Sequence, residues 1–148
     1  MTGTNHVLTG VVIGLTVGQP AVALPLALGS HFVMDALPHY GDPDVTSKRF
    51  LTILGLEAIA IMIIFASILT LQPSSWLLAI ACGFIAAAPD FMWLPNFLRD
   101  MSAGRERRPY TNPVTRFHKH IQWAEKPYNW PYDAIWLAVS VLVVAKLV

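Results

Sequence analysis

The 148-residue chain is 55% hydrophobic and only 13% charged, with a formal net charge of +1 and a mean hydropathy of +0.52. A water-soluble domain of this size has too little interior to hide such a composition, so the pattern excludes an ordinary globule and calls for lipid. The basic run at 105–108 is too short for a nucleic-acid footprint and is better explained by membrane topology and anionic lipid.

Residues 7–37 are apolar but interrupted by Gly18, Gln19, Pro20 and Pro25. This predicts a hairpin of two shorter helices turning at 18–20, the first of them, 5–17, falling short of the roughly 20 residues that cross a bilayer. A signal peptide competes for residues 1–25, but the start has no basic region and the apolar pattern runs on to Leu37, which favours a retained hairpin. The stretches 51–71, 76–94 and 135–148 approach or meet spanning length. The single Cys82 lies inside one of them and reads as a small packing residue.

The polar segments are 1–5, 38–48, the turn 72–75 and a long loop over 96–129. Arg99, Arg105, Arg107, Arg108, Arg116, Lys119 and Lys126 all fall in that loop, Lys48 and Arg49 border the first one, and 72–75 has no charge. The positive-inside rule then puts both basic loops and the amino terminus in the cytoplasm and the 72–75 turn outside, with Lys146 running against the trend. Within the long loop Val114, Phe117, Ile121 and Ala124 recur at helical spacing and predict a short interfacial helix, while 104–108 is the expected flexible stretch. Trp123, Tyr128, Trp130, Tyr132 and Trp136 form an aromatic belt where the last span begins. The expected fold is therefore all-α: a single transmembrane domain over 1–148, with four to five hydrophobic helices, an amino-terminal hairpin and one interfacial helix.

Polar residues close to or inside spans carry the chemical information, because lipid makes them costly. His6, His31, Asp35, His39, Asp90, His118 and His120 all fall on the cytoplasmic side of a topology drawn from Lys and Arg alone. His31 and Asp35 are four apart, so their side chains stack on one helix face as two ligands of one ion must. Imidazole with carboxylate suits zinc, and also iron or manganese; the competing reading is a polar helix end. Pro38 ends that helix, leaving His39 on the following turn, from which it can bend back. Asp90 sits among apolar residues after Pro89 and needs a partner, as a metal ligand, a catalytic base or a helix-end carboxylate. His6 can be a ligand or a first-turn polar residue. His118 and His120 lie about 200° apart on a helix, so at most one meets the ion, and spacing does not choose between them. Glu57, in mid-span, is expected to be protonated, hydrogen-bonded to Ser, Thr or Asn of another helix, or functional. No Gly-rich phosphate loop, Gly-x-Ser-x-Gly elbow or Cys-x-x-Cys pair is present.

The start Thr4-Asn5-His6-x-x-x-Gly10, the segment Gly29-Ser30-His31-Phe32-Val33-Met34-Asp35-Ala36-Leu37-Pro38-His39 and the later Ala88-Pro89-Asp90 resemble small bacterial membrane proteins classed as membrane-bound metal-dependent hydrolases. That family includes the LexA-binding inner-membrane-associated hydrolases and is loosely similar to zinc-dependent phospholipases C in its His and Asp usage. The resemblance covers about the first 95 residues and implies His6, Asp35, His39 and Asp90 as metal ligands. The family's Leu-Pro-Asp-x-Asp-His element is shortened here to Asp35-Ala36-Leu37-Pro38-His39. Its later His-Arg-Gly-x-Thr-His-Ser element is replaced by Arg116-Phe117-His118-Lys119-His120.

The first expectation is an inner-membrane, multi-pass, metal-dependent hydrolase. It would hold a divalent ion such as zinc on His6, His31, Asp35, His39, Asp90 and His118, with Asp90 as catalytic base. It would act at the cytoplasmic face on a lipid or lipid-linked ester or phosphoester. The second is an ion- or proton-transporting protein using the same residues and Glu57. The third is a structural protein that docks lipid or a partner through its basic, aromatic loop.

Overall fold

The computed structural model describes residues 1–42, 44, 46–103 and 112–148, and for 100, 102 and 103 the backbone alone. The stretch 104–108 and the arginines 105, 107 and 108 lie outside the described residues.

The amino-terminal hairpin is α1 (Gly3–Val17) and α2 (Pro20–Ala36). Gly18 makes the turn with φ +66°, a left-handed conformation that costs glycine nothing, and Pro20 opens α2 where its missing N–H is no loss. The connection to α3 (Lys48–Leu71) ends at Ser47, whose hydroxyl accepts the Phe50 N–H at 3.0 Å as a helix cap. After the turn at Gln72, α4 (Trp76–Ala87) leads through a 3-10 turn, Ala88–Trp93, into α5 (Leu94–Ala103). The next described helix is α6 (Pro113–Ile121), capped by the Asn112 side chain, and α7 (Trp130–Leu147) follows it.

The centre of the bundle is the α1–α4 contact, made by residues without side-chain bulk. A Cβ on Gly10 would stand 2.3 Å from the Cys82 carbonyl oxygen, and one on Gly14 would stand 2.5 Å from the Ala79 Cα. Small residues four apart let two backbones approach in lipid, where dispersion and not water exclusion drives helix association. Val7, Val11, Ile68 and Ala79 fill one side of this contact, and Ala23, Ala27, Cys82 and Ala86 the other. Cys82 is the buried packing residue expected.

Outside this core the large apolar side chains point outward: Leu56, Met62 and Ile63 on α3, Val33 on α2, and Ile135 and Leu142 on α7. An apolar exterior around a small-residue interior is a bundle built for lipid. Lys48–Leu71, Trp76–Arg99 and Pro127–Leu147 are each long and apolar enough to cross a membrane, while α1 and α2 are the shorter members.

Two details differ from the sequence expectation. The loop assigned to 96–129 begins with helix, because Pro89 and Pro95 fall in first turns, where proline is tolerated. Asp90 therefore sits inside a continuing helical run, in its 3-10 turn. In α6 the apolar stripe faces away from the protein, with Val114 and Phe117 exposed while Thr115 and His118 are buried. That orientation suits a helix whose outward face meets lipid.

Candidate metal centre

The spacing of four between His31 and Asp35 does what helical geometry requires, placing His31 Nε2 3.3 Å from Asp35 Oδ2 with both side chains fully buried. The helix α6 brings His118 Nε2 to 2.7 Å from the same Oδ2 and 2.9 Å from His31 Nε2. The 3-10 turn supplies Asp90, whose Oδ1 lies 3.7 Å from His31 Nε2 and 3.9 Å from His118 Nε2. One donor atom from each of these four residues lies within 4.8 Å of all the others. Their chain positions span 87 residues, so no local geometry creates the set.

The arrangement around the four fixes how they can act. His31 Nδ1 is 2.8 Å from the Ala86 carbonyl, which can only accept, so the proton sits on Nδ1 and Nε2 presents a lone pair to the cluster. Asp35 is the hub: His6 Nε2 lies 3.0 Å from its Oδ1, and Gln122 donates to Oδ2 at 3.1 Å. The amino group of Met1 also lies against Oδ1. The His6 ring stacks on His31 with centroids 4.1 Å apart, and its Nδ1 is buried without a hydrogen-bond partner among the described residues. Two imidazole nitrogens and two carboxylate oxygens converge on one point, an arrangement that a cation can hold together.

Those residues fit a divalent metal. Bonds of about 2.1 Å to one ion put ligand atoms roughly 3–5 Å apart, and the two shortest separations need open by only a few tenths of an ångström. A mixed nitrogen and oxygen set admits zinc, manganese or iron. Asp90 is the one member with real solvent exposure, 25% of its side chain, so the cluster is closed on the Asp35 side and open on the Asp90 side.

The remaining candidates separate cleanly. His118 is buried in the cluster while His120 is exposed, because α6 turns only its Thr115–His118 edge inward. His6 joins through Asp35 and stands beside the four. His39 is buried but its Nδ1 donates to the Leu37 carbonyl at 2.7 Å and its own carbonyl accepts the Lys126 N–H at 3.0 Å, so it ties the post-α2 loop to the start of the last span. Burial, with the positive amino terminus adding to it, holds the His39 imidazole below its ordinary pKa.

Glu57 and Asp133 form a second polar cluster on the other side of α1. Glu57 accepts the Gly3 N–H at 3.1 Å, and Asp133 accepts the Thr2 N–H at 3.0 Å, the Asn5 side-chain amide at 3.3 Å and the Tyr40 N–H at 2.6 Å. No side chain of its own caps α1, so carboxylates of α3 and α7 do so. From the sequence Asp133 had no assigned part, and Gln122 was only a polar residue beside the stripe of the interfacial helix. The available signals were a lone acid in the first turn of the last span, and Gln122 four residues after His118. Thr52, Ser67 and Thr70 each return their hydroxyl to the carbonyl four residues earlier.

Comparison with protein-family models, curated proteins and solved structures finds no match to this chain.

Proposed function

We propose that this protein is a membrane-embedded, metal-dependent hydrolase acting at the cytoplasmic face on a lipid or lipid-linked ester or phosphoester, as a member of the family its motifs resemble. The observation that carries the reading is the convergence of His31, Asp35, Asp90 and His118 in a buried cluster open at Asp90. A bound zinc, manganese or iron ion would supply Lewis acidity and an activated water. His31, Asp35 and His118 would hold that ion, with Ala86, His6 and Gln122 fixing their orientation. The half-open Asp90 carboxylate is placed to accept a proton at the mouth of the site.

The apolar spans around the cluster support a lipid substrate. Lys48, Arg49, Arg116, Lys119 and Lys126 lie at the same end of the helices as the cluster, which by charge counting is the cytoplasmic one.

Metal analysis of the purified, detergent-solubilised protein before and after chelation tests the proposal. It is paired with hydrolysis of phosphoesters and carboxylic esters in micelles supplied with zinc, manganese or iron. Stoichiometric metal and chelator-sensitive cleavage are expected. Protein that binds no metal, or cleaves equally well after chelation, overturns the reading. The transport alternative gains nothing from Thr52, Ser67 and Thr70, whose hydroxyls are spent on their own helix. Stoichiometric metal without cleavage, with Glu57→Gln abolishing ion flux in proteoliposomes, would put transport in its place.

A further inference from the structure

At about 100° per residue the short helix α6 divides into three sectors. Thr115 and His118 lie within roughly 60° of each other and are buried against the bundle. Val114, Phe117 and the half-buried Ile121 share the neighbouring sector and turn outward, and Arg116, Lys119 and His120 occupy the remainder, all exposed. The helix has no acid of its own, and Glu125 takes up Lys119, which leaves Arg116 and the nearby Lys126 to meet an anion. Beyond it stand Trp123 and Tyr128, each 72% exposed, rings of the kind that settle at headgroup level in a membrane.

Little of the protein holds α6 in place. Its nine residues are too few for a stable helix alone, and it packs chiefly against α2, where the Phe32 and Phe117 rings lie 6.0 Å apart. The bond from the Lys126 N–H to the His39 carbonyl anchors only the segment that follows. The polar ties of α6 to the bundle are those of His118, and of Gln122 just past its end, to Asp35 in the metal cluster. A ligand is thus carried on an element that the fold supports weakly, while two of that element's three faces are shaped for a charged bilayer surface.

We propose that the outward and basic faces of α6 dock on anionic phospholipid of the surrounding membrane, and that this contact seats His118 in the cluster. Val114, Phe117 and Ile121 enter the acyl boundary, and Arg116 and Lys126 meet the phosphate headgroups. A zwitterionic surface offers the same apolar boundary without net charge. Each basic residue near an anionic surface strengthens docking roughly fivefold, so two of them distinguish the surfaces by about tenfold to thirtyfold. The four-ligand centre is then complete only against negatively charged lipid. This deepens the proposed function, resting on its metal centre and naming the partner that assembles it.

The test places the full chain, stripped of metal, in nanodiscs of phosphatidylcholine with or without phosphatidylglycerol. Nitroxides on Leu69→Cys and His120→Cys, both at exposed positions, report the distance from α6 to the far end of α3 by pulsed electron paramagnetic resonance, and buried Cys82 stays unlabelled. One narrow distance is expected with phosphatidylglycerol and a broad spread without it. Arg116→Glu should broaden the distance in the anionic discs, and Arg116→Lys should keep it narrow. Metal titration should find affinity about tenfold to thirtyfold weaker in phosphatidylcholine discs, and weakened by Arg116→Glu in anionic discs alone. The same narrow distance in both discs shows that the fold by itself seats α6 and overturns the proposal, as does an anionic-disc distance that Arg116→Glu leaves unmoved. Narrowing by polyglutamate in phosphatidylcholine discs, as complete as that by phosphatidylglycerol, marks an acidic protein partner and overturns it too. The distances need no metal, so a lipid-dependent distance in protein that takes up no ion sinks only the metal centre. Stoichiometric metal with distances indifferent to lipid sinks only the docking.

Discussion

Two sets of carboxylates flank α1, and they meet different kinds of partner. Asp35, with Asp90 at its edge, meets the imidazoles of His6, His31 and His118, the Gln122 amide and the Met1 amino group, whereas Glu57 and Asp133 face the backbone N–H groups of Thr2, Gly3 and Tyr40. The first set brings together side chains that can exchange their protons for a metal ion. The second satisfies helix-end donors and needs none. A carboxylate in a membrane span is therefore not by itself a functional signal; what its oxygens meet decides its part.

The sharpest way to break this contrast is Asp35→Ala. Removing the hub of the His6, His31, His118 and Gln122 contacts should cost more metal affinity than the about 10–100-fold typical of losing an outer-shell partner, and turnover with it. Metal analysis after dialysis checks it, and a variant that keeps its ion removes the cluster from consideration. Asp90→Asn comes next. If Asp90 acts only as a base, turnover should fall by about 10²–10⁴ while most of the metal stays; loss of the ion as well makes Asp90 a ligand.

On the other side of α1, Asp133→Asn should lower thermal stability by roughly 1–3 kcal/mol, because a charged acceptor of three donors is weakened, yet leave metal content unchanged. Glu57→Gln, with its one backbone donor, should cost less. Thermal unfolding in detergent beside metal analysis reads both, and parallel loss of metal in Asp133→Asn would merge the two clusters into one.

The smallest expected effect belongs to His39. Its folded pKa lies below the unfolded value, so the stability it contributes is present above about pH 6.5 and is lost as pH falls through the lower, folded value. Unfolding of chelated protein between pH 8 and 5 should show this loss, and His39→Gln should flatten it. An unchanged slope in that variant assigns the pH dependence to the histidines of the cluster.

Much of the architecture was legible in the residues. Gly18 and Pro20 mark the hairpin turn, the apolar runs mark the spans, and His31 with Asp35 is legible as a pair because four residues are one helical turn. The choice between His118 and His120 was not legible. It depends on which face α6 turns to the protein, and in lipid the apolar face no longer has to be the inner one. Asp133 was hidden for a related reason, since an acid in a first turn ordinarily caps its own helix, and here it caps α1 across the bundle.

Composition and period by themselves determined that this chain is a bundle of apolar helices, and the placement of Lys and Arg put all five histidines with Asp35 and Asp90 toward one end of it, because burial cost disfavours scattering them through hydrocarbon. Only the tertiary structure decided which of them meet. That choice rests on the close approach of α1 and α4 at Gly10 and Gly14 and on the inward roll of α6, contacts between residues far apart in the chain that no local spacing encodes.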